Sequence, residues 1–167
     1  MGYTCSVCGQ YHDELMLDIR LGLPDDVFAL TDEERERTTE HGDDWCILRF
    51  EGTRYFTRAL LEIPVPELET YFGYGLWAEL DEAGFERIRE LWDDPGGADE
   101  PPFAARIANE LAPYEATTGL RVVLRLRDVD LLPSAELADD HPHELVADQR
   151  DGITAARAQE LAATVAH

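Results

Sequence analysis

The sequence DWCILRFEGTRYFTRALLEIPVP, residues 44–66, decides the fold, because it contains the chain's clearest pair of strand patterns. Aromatic and branched residues fill 44–50 and 54–65, and Glu51-Gly52-Thr53 between them has the length and composition of a hairpin turn. The two runs are therefore predicted to be paired antiparallel strands. We expect Pro64 and Pro66 to end the pairing, because proline has no N–H to donate to a neighbouring strand.

Residues outside this hairpin predict a mixed α+β chain. Strand patterns extend the sheet at three further places, over 74–80, 120–126 and 130–137, the last interrupted by Pro133. Gly73 and Gly75 indicate a bend or a close approach of another backbone.

Four helices are predicted, over 31–40, 81–92, 103–111 and 154–166. In the first, Thr31 and Glu34 have the spacing of a capping box. In the second, the helical spacing of the apolar residues predicts that they lie in the core: Phe85, Ile88, Leu91 and Trp92.

The predicted fold class is α+β: a single domain over 1–167 with an antiparallel sheet flanked by the 81–92 and C-terminal helices. Residues 93–102, rich in Pro, Gly and acids, predict a surface loop between its elements. A division within the domain is also expected, with a metal-knuckle lobe over 1–45 and an α+β body over 46–167. The zinc-knuckle-like turn is expected to dock beside the hairpin.

The charge balance excludes whole classes of partner. Acidic residues number 36 against 14 basic ones, all of them arginine, and the net charge is −22. DNA, RNA and anionic membranes require a basic face, so no nucleic-acid or membrane partner is expected. A GC-rich genome explains the absence of lysine, because lysine codons are AT-rich and arginine codons GC-rich. It does not explain the excess of acidic residues. A salt-rich cytoplasm screens the repulsion over roughly 3 Å at about 1 M salt, so a salt-adapted, halophilic prokaryote is the favoured source.

The absence of targeting signals predicts a cytoplasmic protein. No stretch approaches the roughly 18 apolar residues of a membrane span, and the N-terminus has neither a charged leader nor a hydrophobic stretch. In a reducing compartment, cysteines act as metal ligands, buried thiols or redox pairs more often than as structural disulfides.

The head of the chain predicts a structural zinc site. Cys5 and Cys8, followed by glycine, have the spacing of a tight zinc-binding turn, and Cys46 is a third candidate thiolate. His12 is the candidate fourth ligand and His41 the alternative, which gives a closed site of three cysteines and one histidine. Two other interpretations remain: turn thiols with a buried Cys46, or a redox pair of Cys5 and Cys8.

A second cluster carries candidate acid–base chemistry. His141 could act as a general base oriented by the Asp140 carboxylate, or the two residues could bind a metal. The simpler alternative is a polar loop. Arg58 lies inside an apolar strand, where its guanidinium needs a carboxylate partner or a cavity. Three aromatic residues are candidates for lining a pocket and equally for the core: Trp45, Trp77 and Tyr114.

These pieces together resemble a known family over almost the whole chain. The resemblance rests on the head with His12, Asp44-Trp45-Cys46, Phe56-Thr57-Arg58-Ala59-Leu60, Ile63-Pro64-Val65, Gly75-Leu76-Trp77, Pro113-Tyr114 with Thr117 and Leu120, Asp140-His141-Pro142, Gln149 and Gly152-Ile153. In their order they are similar to the DUF2199 family of prokaryotic proteins. The resemblance implies a shared fold and no particular reaction.

The leading functional hypothesis is a non-enzymatic binding or interaction module with a structural zinc ion, acting on a protein or small-molecule partner. No nucleophile and base with matched context can be named from the sequence. One alternative is a small metal- or histidine-dependent hydrolase that uses His141, Asp140 and Arg58. Another is an acidic immunity or antitoxin-like protein that neutralises a basic partner by charge complementarity.

The net charge generates a first prediction, on salt. Raising potassium chloride from about 0.1 M to about 2 M is expected to raise the melting temperature, because screening removes acidic self-repulsion faster than it weakens exposed ion pairs. Thermal melts followed by circular dichroism measure this. A melting temperature that does not respond to salt contradicts the prediction and leaves codon usage as the explanation of the composition.

Overall fold

The computed structural model describes residues 3–4, 11–12, 18–140 and 142–166. Within them the strands are β1 Tyr3–Thr4, β2 Tyr11–His12, β3 Asp18–Arg20, β4 Thr39–His41, β5 Trp45–Arg49, β6 Thr53–Val65, β7 Thr70–Leu80, β8 Phe103–Ile107, β9 Arg121–Arg125 and β10 Ser134–Leu137. The helices are α1 Asp25–Phe28, α2 Asp32–Thr38, α3 Glu82–Leu91, α4 Glu144–Asp151 and α5 Ala155–Ala166, and single 3₁₀ turns cover Pro66–Leu68 and Pro95–Asp99.

The chain forms a mixed α+β domain whose sheet closes into a small barrel. The strand order is β3-β7-β8-β9-β10-β6-β5-β4, and an additional pairing of β7 with β6 closes the ring. The barrel therefore consists of β6, β7, β8, β9 and β10, while β3 and the β4–β5 pair extend the sheet outside it. The sheet is mixed rather than antiparallel, because β3 pairs with β7, and β10 with β6, in parallel.

The predicted hairpin is confirmed as β5 and β6, but its second strand is also the first half of a longer ribbon. β6 pairs with β7 from Tyr55 opposite Leu80 to Val65 opposite Thr70. Pro64 does not end this pairing. Its carbonyl accepts a hydrogen bond from the Ile153 N–H at 2.8 Å, on the side away from β7, so no ladder bond is lost where the proline lacks an N–H.

Side-chain alternation along β6 and β7 divides the apolar residues between two cores. Ala59, Leu61 and Ile63 face the barrel interior, where α3, α4 and α5 add further apolar side chains. The opposite face carries a smaller cluster of Val27, Cys46, Leu48, Phe56, Trp77 and Ala108. Because successive side chains of a strand point to opposite faces, a shift of one residue in this ribbon would move each side chain from one core to the other.

Several local predictions are confirmed. Thr31 and Glu34 form both hydrogen bonds of a capping box, α3 buries Phe85 and Ile88, and β9 alternates buried with exposed residues. The predicted close approach of another backbone occurs at Gly75, which lies beside β3: a Cβ there would be 3.4 Å from the Ile19 carbonyl oxygen. The expected extension of the polar helix to residue 40 is wrong, because 39–41 form β4.

Residues 103–107 form β8, not the predicted helix. Ala105 and Ile107 are buried and Ala104 and Arg106 exposed, which is the period of a strand. The segment is needed to join β7 to β9, so barrel closure overrides the helical preference of its alanines. Similarly, β10 is not an edge strand, since it lies between β9 and β6. Helix α4 was not predicted at all.

Part of the lobe predicted over 1–45 lies outside the residues that the structure describes. The described part of 1–45 includes β3 and β4, which belong to the same sheet as the rest of the chain. β1 and β2 pair antiparallel, with Tyr3 opposite His12, on either side of the segment that contains Cys5 and Cys8 in the sequence. The turn itself, and the predicted docking of that turn beside the hairpin, lie outside the described residues.

One buried polar side chain, Asn109, holds α1 against the end of the barrel. Its Nδ2 donates to the Leu23 carbonyl at 2.9 Å and to Asp25 Oδ1 at 3.0 Å. Its Oδ1 accepts from the Trp77 N–H at 2.8 Å. The side chain of Asn109 is buried and all its polar atoms have partners, which makes it a rigid junction between three segments.

Replacing this junction is expected to destabilise the protein. Asn109→Ala leaves the Trp77 N–H and the Leu23 carbonyl without their partner, so the free energy of unfolding should fall by roughly 2–4 kcal/mol. Urea denaturation measures the change. Thr118→Ala, on an exposed side chain of the neighbouring loop, is the matched control. A loss below about 0.5 kcal/mol for Asn109→Ala would show that the network carries no stability.

Candidate functional site

The candidate site is a cavity of about 300 Å³ beside the β5–β6 hairpin, here called the tryptophan pocket. Its lining residues come from the β4–β5 turn, from two neighbouring strands and from the end of α3. They are Asp43, Asp44, Trp45, Thr57, Arg89 and Trp92. The pocket thus combines two indoles, two carboxylates, a hydroxyl and a guanidinium.

Strand register places the floor of the pocket. Trp45 of β5 lies directly opposite Thr57 of β6, so both side chains project from the face that α3 covers. The Trp45 ring packs edge-on against Phe85, with ring centroids 6.4 Å apart. Gly42 is required next to it, because a Cβ at this position would collide with the indole. Thr57 is buried, and its hydroxyl donates a long hydrogen bond of 3.4 Å to the Asp44 carbonyl.

Helix α3 supplies the other wall. Arg89 lies in its last turn, and Trp92 follows immediately after its last residue. The Arg89 guanidinium carbon is 4.2 Å from the centroid of the Trp45 ring, which is a cation–π geometry. Arg89 is exposed and makes no ion pair with any residue that the structure describes. Its positive charge therefore rests on an aromatic face rather than on a carboxylate.

Arg58 lies behind the pocket, on the opposite face of β6 from Thr57. Its Nη1 donates to the Leu21 carbonyl at 2.9 Å and its Nε to the Asp43 carbonyl at 3.4 Å. The nearest carboxylate oxygen, on Asp44, is 3.6 Å from Nε, and the Trp77 ring centroid is 4.5 Å from the guanidinium carbon. Arg58 thus fixes the Asp43–Asp44 turn that forms one rim of the pocket.

Burial of the Arg58 guanidinium removes it from water, and these contacts offset the loss of solvation. Burial lowers the pKa of Arg58, and the positive charge of Arg20 lowers it further, while Asp44 and Asp43 act in the opposite direction. The expected carboxylate partner is present, but backbone carbonyls provide the shorter bonds. The arrangement matches the structural interpretation of Arg58 more closely than an anion-binding one.

Cys46, the third candidate zinc ligand, lies in the smaller apolar cluster. It is fully buried, and burial raises the pKa of its thiol to about 11. His41 is its direct partner across β4 and β5, so the two side chains share one face of the sheet. No group of three or more His, Cys, Asp or Glu side chains suited to a metal ion occurs within the described residues. Cys5 and Cys8 lie outside them, as does the His12 side chain.

The proposed hydrolytic residues are not brought together in the described part of the chain. The Asp140 carboxylate pairs with Arg121 at 2.5 Å on the barrel surface, whereas Arg58 is buried beside Trp77. His141 lies outside the described residues. Its neighbour His143 begins α4, where the Nδ1 atom accepts from the Leu145 N–H at 3.0 Å.

The aromatic candidates separate into pocket and core. Trp45 lines the tryptophan pocket, but Trp77 is buried and Tyr114 is buried with its hydroxyl donating to Asp148 at 2.5 Å. Trp92, expected in the core from its helical spacing, is partly buried: it packs against the main core and also lines the pocket. Asp43 and Arg89 carried no sequence signal, because single charged residues in a polar turn and a helix look like solvated surface.

A larger cavity of about 540 Å³ lies where β10 separates from β6. There the Gln149 side chain takes the place of a strand, accepting from the Leu137 N–H at 2.8 Å and donating to the Ala135 carbonyl at 2.9 Å. Arg127 pairs with Glu62 at 2.7 Å, and its buried Nη2 atom has no hydrogen-bond partner among the described residues. The polar groups of this cavity mostly stabilise the seam of the barrel.

Comparison with known proteins identifies the family. Residues 4–153 match the family model described as "Uncharacterized protein conserved in bacteria (DUF2199)". The chain belongs to the DUF2199 family. No curated protein and no solved structure matches this DUF2199 chain. In the part of it that the structure describes, every helix is too short or too polar to cross a membrane.

The buried thiol generates a prediction on reactivity. In a Cys5→Ser/Cys8→Ser variant, Cys46 is expected to react with a thiol reagent at pH 8 more than about 100-fold slower in the folded protein than in urea, because a pKa near 11 leaves little thiolate. Absorbance from an aromatic disulfide reagent follows the reaction. A difference smaller than about tenfold contradicts the buried environment.

Proposed function

We propose that this DUF2199 chain is a non-enzymatic binding module and that the tryptophan pocket is its recognition site. The observation that carries the proposal is the convergence of Trp45 and Trp92 with two carboxylates in one cavity. Ligand sites in proteins are typically concave and aromatic, with a few polar groups that fix orientation. Tryptophan provides a large contact area at a small cost in side-chain entropy.

The hydrolase alternative has less support from the described residues. General acid–base catalysis needs a base within hydrogen-bond reach of a nucleophile or a bound water. Asp140 is engaged by Arg121, and Arg58 is satisfied by carbonyl groups on the far side of β6. The tryptophan pocket contains carboxylates but neither histidine nor cysteine in its lining. Binding without turnover is therefore the better-supported function.

A nuclear magnetic resonance screen tests the binding role. Fragments of four classes, namely amines or guanidines, carboxylates, sugars and planar heterocycles, are added to ¹⁵N-labelled protein. At least one class is expected to shift the indole N–H signals of Trp45 and Trp92. Trp77 is the internal control, because its indole Nε1 donates to the Leu21 carbonyl at 3.2 Å inside the smaller cluster.

Two outcomes contradict the binding proposal. If no fragment class moves the Trp45 or Trp92 signals, the pocket is not a recognition site. If a fragment or a generic ester or phosphoester is consumed, the hydrolase alternative is favoured. Shifts of all three indole signals together indicate a change of the whole fold rather than binding in the pocket.

We also propose a structural zinc ion, held by Cys5, Cys8, Cys46 and either His12 or His41. Two features support it: the paired strands β1 and β2 flank Cys5 and Cys8 in the sequence, and Cys46 shares a sheet face with His41. Zinc would reverse the unfavourable burial of a thiolate at Cys46, because a coordinating thiol loses its proton to the metal.

Metal analysis tests the zinc proposal. Protein purified under reducing conditions without chelators should contain close to one zinc per chain, and Cys46→Ala should lose it. His12→Gln and His41→Gln separate the two candidate fourth ligands, and His143→Gln, at the start of α4, is the control that should retain the metal. Absence of zinc from the wild-type protein contradicts the proposal but leaves the binding pocket untouched.

A further inference from the structure

We propose that the tryptophan pocket receives an arginine side chain of a basic partner polypeptide, and that this arginine competes with Arg89, a residue of the pocket wall, for the face of the Trp45 ring. The inference rests on the proposed binding role and adds the chemical class of the ligand. It also explains why a charged helix residue lies on an aromatic face at the edge of the cavity.

The position of Arg89 shows that a guanidinium stacks on the Trp45 ring at the wall of the pocket. Its carbon lies 4.2 Å from the Trp45 ring centroid and 5.5 Å from that of Phe85. Arg87, two residues earlier on the same helix, instead pairs with Glu90 at 3.0 Å and with Glu100 at 2.8 Å. Exposed cation–π contacts are weak, so a ligand that offers additional bonds can replace Arg89.

The rim of the pocket supplies those additional bonds. Asp43 is exposed and makes no ion pair with a described residue, so its carboxylate is available for a two-pronged contact with a guanidinium. The Asp44 carboxylate is shared with Arg58 at a distance of 3.6 Å, too long for a strong bond. An anionic ligand would meet both carboxylates, so Asp43 and Asp44 favour a cation over a phosphate or carboxylate, although Arg89 lies in the same lining.

Size and net charge indicate the source of the guanidinium. A cavity of about 300 Å³ accommodates one long side chain. At low ionic strength the net charge of −22 attracts a basic polypeptide over distances longer than any single contact, and at high salt only the contacts within the pocket remain. Guanidinium is preferred to ammonium because it is planar, stacks on aromatic rings and is weakly hydrated.

The test compares two probes that differ only in charge: N-acetyl-arginine methylamide and its neutral analogue with citrulline. Both are titrated into labelled protein at one fixed ionic strength, with the indole N–H signals as the readout. The arginine probe is expected to shift Trp45 and Trp92 but not Trp77, and the citrulline probe to bind at least about threefold more weakly.

Variants then determine the role of Arg89. Arg89→Ala is expected to tighten binding of the arginine probe about two- to tenfold, because the internal competitor is removed. Asp43→Asn is expected to weaken it by a similar factor. Arg87→Ala is the matched control: it removes the same charge from the same helix, but from a different face and not from the pocket, so its effect should stay below about twofold.

The sign of the Arg89 effect decides the inference. If Arg89→Ala weakens binding, Arg89 is a recognition group for the ligand and the inference is overturned. Equal binding of the citrulline probe, or tighter binding of spermidine than of the arginine probe, also overturns it. If another fragment class shifts Trp45 and Trp92 while arginine does not, this inference fails and the broader binding role stands.

Discussion

The pairing of β6 with β7 is the constraint on which the rest of the structure depends. The ribbon runs from Tyr55 opposite Leu80 to Val65 opposite Thr70, and each of its strands has further partners on its outer side. One face of the ribbon builds the barrel interior and the other builds the smaller cluster around Trp77. Thr57 and Arg58 are adjacent on β6 and therefore project from opposite faces. Thr57 faces the pocket, and Arg58 lies behind it and bonds to the Leu21 and Asp43 carbonyls, so the register of β6 positions both sides of the site.

Local patterns predicted the elements that depend on nearby residues. The hairpin, the Thr31 capping box and the apolar spacing of α3 are determined within a few residues, and the structure contains all three. The sequence predictions that were wrong concern elements that depend on residues distant in the sequence. β8 contains Ala104 and Ala105, which favour a helix, and becomes a strand only because the ring must close between β7 and β9. The two parallel pairings likewise join distant segments and leave no periodic signal.

Some residues of the candidate site could be named from the sequence, but the position of the pocket in the fold could not. Trp45 and Arg58 could be named from the sequence, because an aromatic residue and a charged residue in apolar strands require an explanation, whereas Asp44 was noted only as part of the family motif. Trp92 could not, since its spacing after Ile88 is that of a core residue, and only the end of α3 turns it towards the hairpin. For Arg58, the sequence indicated a carboxylate partner, whereas backbone carbonyls make its shorter bonds.

The combination of carboxylates with indole faces gives the proposed pocket a property that carboxylates alone lack. Attraction between exposed charges falls steeply with ionic strength, so Asp43 by itself would distinguish poorly between an arginine and abundant monovalent cations. The tryptophan faces favour a planar, weakly hydrated guanidinium over a compact hydrated ion, and this part of the interaction depends less on salt. Arg89, resting on Trp45, adds a competitor that weak ligands do not displace. An acidic surface can then attract many cations while the pocket retains only those that both stack and pair.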